Sequence, residues 1–215
     1  KVPERYAIEV SPEESIQHIE LLNRLESAPA AMSWDVERHT ARVWLCSSDV
    51  PARFSQVAGV LTAHGLNILN AHAFSLADGT VLDRFIVHKQ GAPMNSRPEF
   101  WEDVRDTLLK SVSGDLDLDA LVAERMRRDV HEPLAPTRRR VTNIHFDNES
   151  SSQFTILDLV SWDRLGLLYS VGKCLSQLKV NIEFALVSTR LDVAEDVFYI
   201  SDERTGQKIT SEERL

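Results

Sequence analysis

A loop and a later asparagine in the second half of the chain carry residue types that could bind a small charged molecule. Asp163 opens the loop, which continues as Arg164-Leu165-Gly166-Leu167-Leu168, and Asn181-Ile182 follows one helix length later. A loop that runs into a helix start offers backbone N–H groups to an anion, and the helix dipole favours negative charge there. Gly166 allows close approach to the backbone, and the amide of Asn181 can both accept and donate. The segment therefore has groups that could contact a small charged molecule.

The same residue types occur earlier in the chain at a constant separation of 114 residues. Asp49 corresponds to Asp163, and Asn67-Ile68 corresponds to Asn181-Ile182. Further matching pairs are Leu61 with Leu175, Ala71 with Ala185 and, one residue closer, Asp83 and Phe85 with Asp196 and Phe198. The first loop has Ala52, Arg53 and Phe54 where the second has Gly166, Leu167 and Leu168. A fixed separation over a whole β-α-β stretch indicates two copies of one domain.

Each of these residues also has a purely structural interpretation. Asp49 and Asp163 are good helix caps, because aspartate is a preferred residue at that position. Gly166 can serve only to relieve a tight turn, and Asn181 can satisfy a strand end. The apolar positions that recur at helical spacing are expected in the core, namely Phe54, Leu61, Leu168 and Leu175.

Composition narrows the class of protein. The chain has 215 residues, 43% hydrophobic and 27% charged, with a net charge of -9 that argues against a nucleic-acid or acidic-membrane surface. No run of apolar residues approaches a membrane span, and no signal peptide is visible. Cys46 and Cys174 each lie in an apolar pattern, which predicts buried free thiols in a reducing, cytoplasmic compartment. Because the first residue is Lys1, the chain is expected to belong to a longer protein.

Periodicity and turn signals give the expected organisation. Residues 1–38 should be a leading helical segment that begins at Ser11 and docks here or on an upstream domain. Residues 39–147 should form the first domain, completed by a strand over 141–146, and residues 148–215 a second, truncated domain. The fold class is α+β, two ferredoxin-like β-α-β-β-α-β units with antiparallel sheets and helices on one face. Residues 132–136 should be a linker, and the basic run at 138–140 a solvated strand edge.

One acidic cluster resembles a catalytic metal site. The aspartates of Asp115-Leu-Asp117-Leu-Asp119 could hold Mg²⁺ for phosphoryl transfer, but no Gly-Ser loop precedes them and a helical pattern follows. An acidic helix start is the better interpretation. The seven histidines show no metal-ligand spacing, and no Ser-His-Asp or Cys-His set has support in the sequence. We therefore expect no catalytic residues, no metal site and no cofactor in this chain.

The doubled pattern resembles tandem ACT domains. Asp163 to Leu168 is similar to the family loop Asp-Arg-Pro-Gly-Leu-Leu, with Leu165 in place of proline, and the first loop has Ala52 where glycine is usual. Asn148-Glu-Ser-Ser-Ser152 and Asp196-Val-Phe-Tyr199 resemble segments of the bacterial PII uridylyltransferase/uridylyl-removing enzymes. Lys1 to Tyr6, Ser11 to Glu14 and His18 resemble the segment that precedes the ACT pair of those enzymes.

The resemblance implies a regulatory function rather than catalysis. ACT domains bind amino acids where the first loop meets the second strand of a neighbouring copy, so the implied ligand is a small amino acid, glutamine above all. The implied partners are the catalytic domains of the parent chain, the PII signalling protein through them, and a second copy in a homodimer. Mg²⁺ and UTP would belong to the parent enzyme, outside this chain. The alternative is a ligand-free scaffold that dimerises or braces the catalytic domains.

Overall fold

The two halves of the chain contribute strands to one antiparallel sheet. The computed structural model describes residues 6, 10–48, 50, 52–76, 78–128, 142–190 and 193–210. In chain order the helices are α1 (Pro12–Leu25), α2 (Arg53–Ala63), α3 (Pro98–Ser113), α4 (Leu118–Arg128) and α5 (Leu167–Gln177). The strands are β1 (Ala30–Val36), β2 (Thr40–Ser48), β3 (Asn67–Ser75), β4 (Thr80–His88), β5 (Asn143–Asp147), β6 (Thr155–Trp162), β7 (Val180–Arg190) and β8 (Val193–Asp202).

The eight strands lie in the order β1-β2-β4-β3-β7-β8-β6-β5, and every neighbouring pair is antiparallel. The first half (residues 12–128) supplies the first four strands of this order and the second half (residues 142–210) the other four. The halves join where β3 pairs with β7 through Asn70 and Ser188, Ala71 and Val187, and His72 and Leu186. The Asn70 amide reinforces this seam by donating to the Val187 carbonyl at 2.9 Å. The two halves therefore lie side by side within one chain.

The edge strand of each half comes before the helix, not after it. The sequence analysis expected a strand over 141–146 to complete the first unit, and this was wrong because β5 pairs with β6 of the second half. The corresponding edge of the first half is β1, which pairs with β2. Three residues connect β1 to β2, and the Glu37 N–H donates to the Thr40 carbonyl at 2.8 Å. Closing so short a hairpin costs less chain entropy than returning a strand from beyond α4.

Helix boundaries follow the local signals. Ser11 caps α1 in a capping box, in which its side chain accepts from the Glu14 N–H and the Glu14 carboxylate accepts from the Ser11 N–H. Pro98 begins α3, and Gly114 ends it in the left-handed conformation. In the second half, α5 begins directly after Gly166.

Helices α2, α3, α4 and α5 share one core with one face of the sheet, where Ala71, Phe85, Ala185 and Phe198 are fully buried. Helix α1 lies on the opposite face, where Leu21 packs against Trp44 and Leu82. The leading helix therefore docks on the first half. None of the helices in the part of the chain that the structure describes is long and apolar enough to cross a membrane.

Close packing of α2 on α5 depends on two glycines. A Cβ on Gly59 would lie 2.8 Å from the Tyr169 ring, and a Cβ on Gly172 would lie 3.0 Å from the Ser55 Cβ. Phe54 extends the contact, because its ring centroid is 6.3 Å from that of Phe85 and 6.2 Å from that of Phe198. The helical layer thus binds the two halves together as the sheet does.

One expectation about the cysteines was wrong. Cys46 is buried on β2, and burial raises the pKa of its thiol to about 11. Cys174 is exposed, because it lies on α5 away from the face that Leu175 and Gly172 turn to the core. The predicted linker over 132–136 and the basic run at 138–140 lie outside the described residues.

Candidate functional site

Two cavities lie at the junction of the halves, and each joins the loop of one half to a strand start of the other. The first, which we call the narrow cavity, combines Asp163, Gly166, Leu167 and Leu168 of the second loop with Asn67 and Ile68 of β3. The second, which we call the wide cleft, combines Ala52, Arg53 and Phe54 of the first loop and helix with Asn181 and Ile182 of β7. The junction therefore brings the predicted residues together in crossed pairs.

The narrow cavity comprises about 280 Å³ of space between atoms, part of it open to solvent, and has room for only about one ordered water molecule. Gly166 has φ +81° and precedes α5. A Cβ at Gly166 would lie 3.0 Å from the Met126 sulfur and 3.2 Å from the Thr62 methyl carbon. The bend at Gly166 is thus closely packed by the first half, and this leaves no room for a whole amino acid in the observed conformation.

The polar wall of the narrow cavity is formed mainly by acidic and amide groups. The Asn67 amide donates to the Asp163 carboxylate at 2.7 Å and lies 3.4 Å from the His88 ring nitrogen Nε2. Burial lowers the pKa of His88, and the nearby Asp163 carboxylate only partly opposes this. Asn67 therefore orients the Asp163 carboxylate.

Asp196 on β8 is a further residue of the narrow cavity that the sequence analysis did not include in its site. Asp196 is 1% exposed, and its burial, together with the nearby Asp163 carboxylate, raises its pKa to about 7 although a hydrogen bond from the Ser188 N–H opposes the rise. A signal for this burial exists in the sequence. Residues i and i+2 of a strand share a face, so Asp196 must face the same side as Phe198, which is a core residue.

The wide cleft holds about 1000 Å³ of space, part of it open to solvent. Ala52 precedes α2 with φ +68°, the conformation that Gly166 has before α5, and no side chain caps the helix. The Arg53 side chain is mostly buried and donates to the Gln56 side-chain oxygen at 2.8 Å. Asp83 and Glu183 also line this cleft. A helix start with an adjacent guanidinium suits a carboxylate, and the two acidic side chains suit an ammonium group.

The remaining predicted site residues fall outside both cavities. Arg164 is exposed and Leu165 is buried, and neither lines the narrow cavity. Asp49 lies outside the described residues.

The acidic cluster before α4 has structural contacts. Asp117 accepts from the Ala120 N–H at 3.0 Å, as an N-terminal cap does, which agrees with the helix-start interpretation. Asp119 accepts hydrogen bonds from Tyr169 and, at 2.6 Å, from Lys173, and these hydrogen bonds lower its pKa. Asp119 thus ties α4 of the first half to α5 of the second. Within the described ranges, no group of three or more His, Cys, Asp or Glu side chains could hold a metal ion.

Comparison with known proteins identifies relatives for most of the chain. No family model matches it. A bifunctional uridylyltransferase/uridylyl-removing enzyme of Rhodospirillum rubrum is 30% identical over 208 residues, which are 93% of this chain and 22% of the relative. The enzyme of the same description from Gluconobacter oxydans is 31% identical over 83% of this chain and 19% of its own length. The one from Rhodopseudomonas palustris is 27% identical over 97% of this chain and 23% of its own length.

Among solved structures, an aspartate kinase from Synechocystis superposes with a TM-score of 0.38 and 12% identity, over 77% of this chain and 25% of that chain. So loose a superposition carries no argument. The chain spans about a fifth of the length of the curated relatives that it matches. It is thus related in sequence, over most of its length, to a segment of the bifunctional uridylyltransferase/uridylyl-removing enzymes.

Proposed function

We propose that the chain is an amino-acid-sensing regulatory region made of two ACT domains, and that glutamine is its ligand. The first domain would comprise the sheet and helices from β1 to α4, and the second those from β5 onwards. Catalysis, together with any Mg²⁺, UTP and PII protein that it requires, would belong to other domains of a parent enzyme. Sequence similarity to the uridylyltransferase/uridylyl-removing enzymes supports this assignment.

The observation that carries the proposal is the wide cleft. The start of α2 with the Arg53 guanidinium, the Asn181 amide and the Asp83 carboxylate all line it. An amino acid lying across this cleft would direct its carboxylate to the helix start and its ammonium group to the acidic side chains. The Asn181 amide could pair with the side-chain amide of glutamine, since it has both a donor and an acceptor. The cleft beside Ala52 is the roomier of the two.

A ligand in the wide cleft would act through linkage. Because it would contact both halves, it would favour the arrangement of the halves that it binds more tightly. The free-energy bias cannot exceed the difference in its binding free energy between the two arrangements. Such differences are typically about 1–3 kcal/mol. The bias would reach the catalytic domains through any element that moves with the first half, and α1 is such an element because it packs on β1 and β2.

Calorimetry and thermal unfolding with glutamine test this proposal. A ligand that binds only the folded chain raises its stability by RT ln(1 + [L]/Kd), so the melting temperature should rise with glutamine concentration. Asn181→Ala should weaken glutamine binding about tenfold, which is the loss of about 1.4 kcal/mol expected for a hydrogen bond in a binding site. Asn67→Ala is the matched control, because Asn67 begins β3 as Asn181 begins β7, and it should leave glutamine affinity unchanged. Absence of heat and of any stability change with all twenty amino acids would refute sensing.

A ligand-free scaffold is the second candidate, and the packing of the narrow cavity favours it. Met126 and Thr62 occupy the space beside Gly166 in which a ligand would approach the backbone. In that case the two domains would serve only to brace or dimerise the parent enzyme. The chain would then show concentration-dependent association, measured by sedimentation, with no response to amino acids.

A further inference from the structure

The two halves of the sheet are covered differently on the face that lies away from the shared helical core. Over the first half, Leu21 of α1 packs against Trp44, and Cys46 of the same cluster is fully buried. Val160 holds the position that corresponds to Cys46 at the separation of 114 residues, yet it is 38% exposed. Among the helices that the structure describes, only α1 lies on this side of the sheet, and it packs on β1 and β2. The second half therefore presents a sheet face without a helix, which we call the bare face.

The bare face is apolar across three neighbouring strands. Residues of β6 that alternate with the core residues Leu157 and Leu159 point away from the core. The strand register places their partners on β8 and β7 on the same face. The exposed or partly exposed apolar residues of the bare face are Val160 and Trp162 of β6, Val193, Val197 and Tyr199 of β8, and Leu186 of β7. A contiguous apolar patch of this kind marks an interaction site.

Helix α1 carries apolar residues on two opposite sides. Its inner side packs on the sheet through Leu21 and Leu25. Ile16 and Ile19 are 59% and 57% exposed and are neighbours on the helix surface, because residues three apart lie on the same side. At about 100° per residue, Ile16 lies opposite Leu25. Ile16 and Ile19 therefore form an apolar stripe on the outer side of α1, facing away from the sheet that α1 covers.

We propose that the bare face is a dimer interface, and that its occupant is the outer side of α1 from a second copy of this chain. The chain itself shows the fit, because α1 already covers the corresponding face of the first half. When two such sheets face each other across a two-fold axis parallel to the strands, the first half of each copy lies opposite the second half of the other. Each α1 would then lie between its own first half and the bare face of its partner, and the same contact would form twice, as in any isologous interface.

Two observations favour a second copy over an unrelated partner. The helix α1 and the bare face lie on the same side of one continuous sheet, over different halves, so one two-fold rotation brings both contacts together without a change of conformation. The charges are also compatible. The bare face carries exposed Glu195 and Arg190, and α1 carries exposed Glu20 and Arg24, so neither surface has charges of one sign only. Dimerisation through this face is compatible with an amino-acid sensor and with a ligand-free scaffold.

Sedimentation equilibrium of the chain tests the interface, and we expect a dimer that dissociates on dilution. Trp162→Lys on the bare face and Ile16→Asp on the outer side of α1 each place a charge in the apolar contact. Each variant should raise the dimer dissociation constant at least about tenfold, which is about 1.4 kcal/mol. Ile144→Asp is the matched control, because Ile144 is 58% exposed in the same half but shares the opposite face with its partner Leu159. It should leave the dissociation constant unchanged.

Mixing the two interface variants tests whether α1 is the occupant of the bare face. In a mixed dimer, the intact α1 of Trp162→Lys meets the intact bare face of Ile16→Asp. The other contact then brings the introduced carboxylate and the introduced ammonium group together instead of leaving each without a partner of opposite charge. The mixture should therefore associate more tightly than either variant alone, which energy transfer between differently labelled variants measures.

The remaining outcomes would contradict the interface. A chain that stays monomeric would overturn the proposal and would leave the bare face to a partner other than this chain, and so would an equal loss in Ile144→Asp. Loss in Trp162→Lys without loss in Ile16→Asp would show that α1 is not the occupant and that two bare faces pack on each other. If circular dichroism shows that Trp162→Lys does not fold, Val160→Lys takes its place with the same expectations. The response to glutamine decides the proposed function and the dimer decides this interface, so the two proposals fail separately.

Discussion

Ala52 and Gly166 have the same backbone conformation at the same place in the two halves of the chain. Each lies in the left-handed region, with φ +68° and +81°, and each is followed directly by an eleven-residue helix. The left-handed region costs an L residue about 1 kcal/mol, whereas glycine enters it freely. The alanine therefore retains a strained conformation that the glycine avoids.

Exchange of the two residues should change stability in opposite directions. Ala52→Gly relieves strain but loosens the unfolded chain, so the free energy of unfolding should rise by no more than about 1 kcal/mol. Gly166→Ala adds strain and places a Cβ 3.0 Å from the Met126 sulfur, so the free energy of unfolding should fall by about 1–3 kcal/mol. Urea denaturation of both variants measures these changes. Stabilisation by Gly166→Ala would show that the bend is not held as described.

The buried carboxyl of Asp196 should make stability depend on pH. Its pKa rises from an ordinary value of 3.8 to about 7 in the folded chain, so the folded state holds a proton that the unfolded state loses. The contribution of this group is fully present below about pH 4 and is lost as the pH rises to about 7. At about 1.4 kcal/mol per pKa unit, the loss is about 4 kcal/mol.

Asp196→Asn removes this titration but keeps the shape of the side chain. The difference in unfolding free energy between the variant and the wild type should therefore move in favour of the variant as the pH rises from 4 to 8. Taking the difference between the two proteins removes the contribution of the histidines, which both proteins retain. Asp83→Asn changes the corresponding carboxyl group of the first half and serves as the comparison variant. A difference that is flat across this pH range would contradict the raised pKa.

The glycine at the crossing of α2 and α5 offers a test of helix packing. Gly59→Ala would place a Cβ 2.8 Å from the Tyr169 ring and 2.9 Å from the Leu118 side chain. Overpacking of this kind costs about 1–3 kcal/mol. If the contact with Tyr169 is the cause, Tyr169→Ala should absorb part of the loss in a double-mutant cycle, with a coupling of at least about 0.5 kcal/mol. If the effects of Gly59→Ala and Tyr169→Ala are strictly additive, the contact with Tyr169 is not the cause of the lost stability.

Local patterns in the sequence were sufficient for elements that depend on nearby residues. The capping residue Ser11 fixes its own neighbourhood, and the structure has the helix start where the sequence predicts it. The turn at Asp78-Gly79 and the helix end at Gly114 depend on nearby residues in the same way. The α+β class with antiparallel strands follows from these elements.

Pairing between distant strands could not be predicted in the same way. Strand β1 begins with Ala30-Ala31-Met32-Ser33, a stretch after a proline that lacks a strong alternating pattern. The partner of β5 depends on which edge is free, and that is set by the closure of the β1–β2 hairpin rather than by β5 itself. The seam of β3 with β7 is fixed by backbone pairing and by the packing of α2 on α5, so neither segment reveals it alone.

The sequence predicted most residues of the candidate site. It did not predict the full set, or which of the two cavities is the roomier. It identified both loops and both asparagines, and the structure places each loop beside the asparagine of the other half. Asp196 was overlooked as a site residue because alternation in a strand indicates burial without showing what a side chain meets there. The greater room beside Ala52 also could not be predicted, since it depends on Met126 and Thr62 filling the space beside Gly166.

The ion pair between α1 and the sheet should control how firmly the leading helix docks. Glu14 accepts from the Arg84 guanidinium at 2.8 Å, and the two side chains are 15% and 21% exposed. Burial opposes ionisation of Glu14, but hydrogen bonds from Arg84 and the Ser11 N–H outweigh it and lower its pKa. A partly buried, charge-assisted hydrogen bond of this kind contributes about 1.5–3 kcal/mol.

Glu14→Gln, Arg84→Met and the double variant form a cycle that measures this contact. We expect each single change to increase hydrogen exchange of the α1 amides, while exchange in α5 stays constant, and the coupling to be about 1–2 kcal/mol. Arg42→Ala is the control, because the ion pairs of Arg42 with Asp35 and Glu37 are exposed and should contribute less than about 1 kcal/mol. If α1 exchanges equally in Glu14→Gln and the wild type, the apolar packing of Leu21, Leu22 and Leu25 holds the helix without the ion pair.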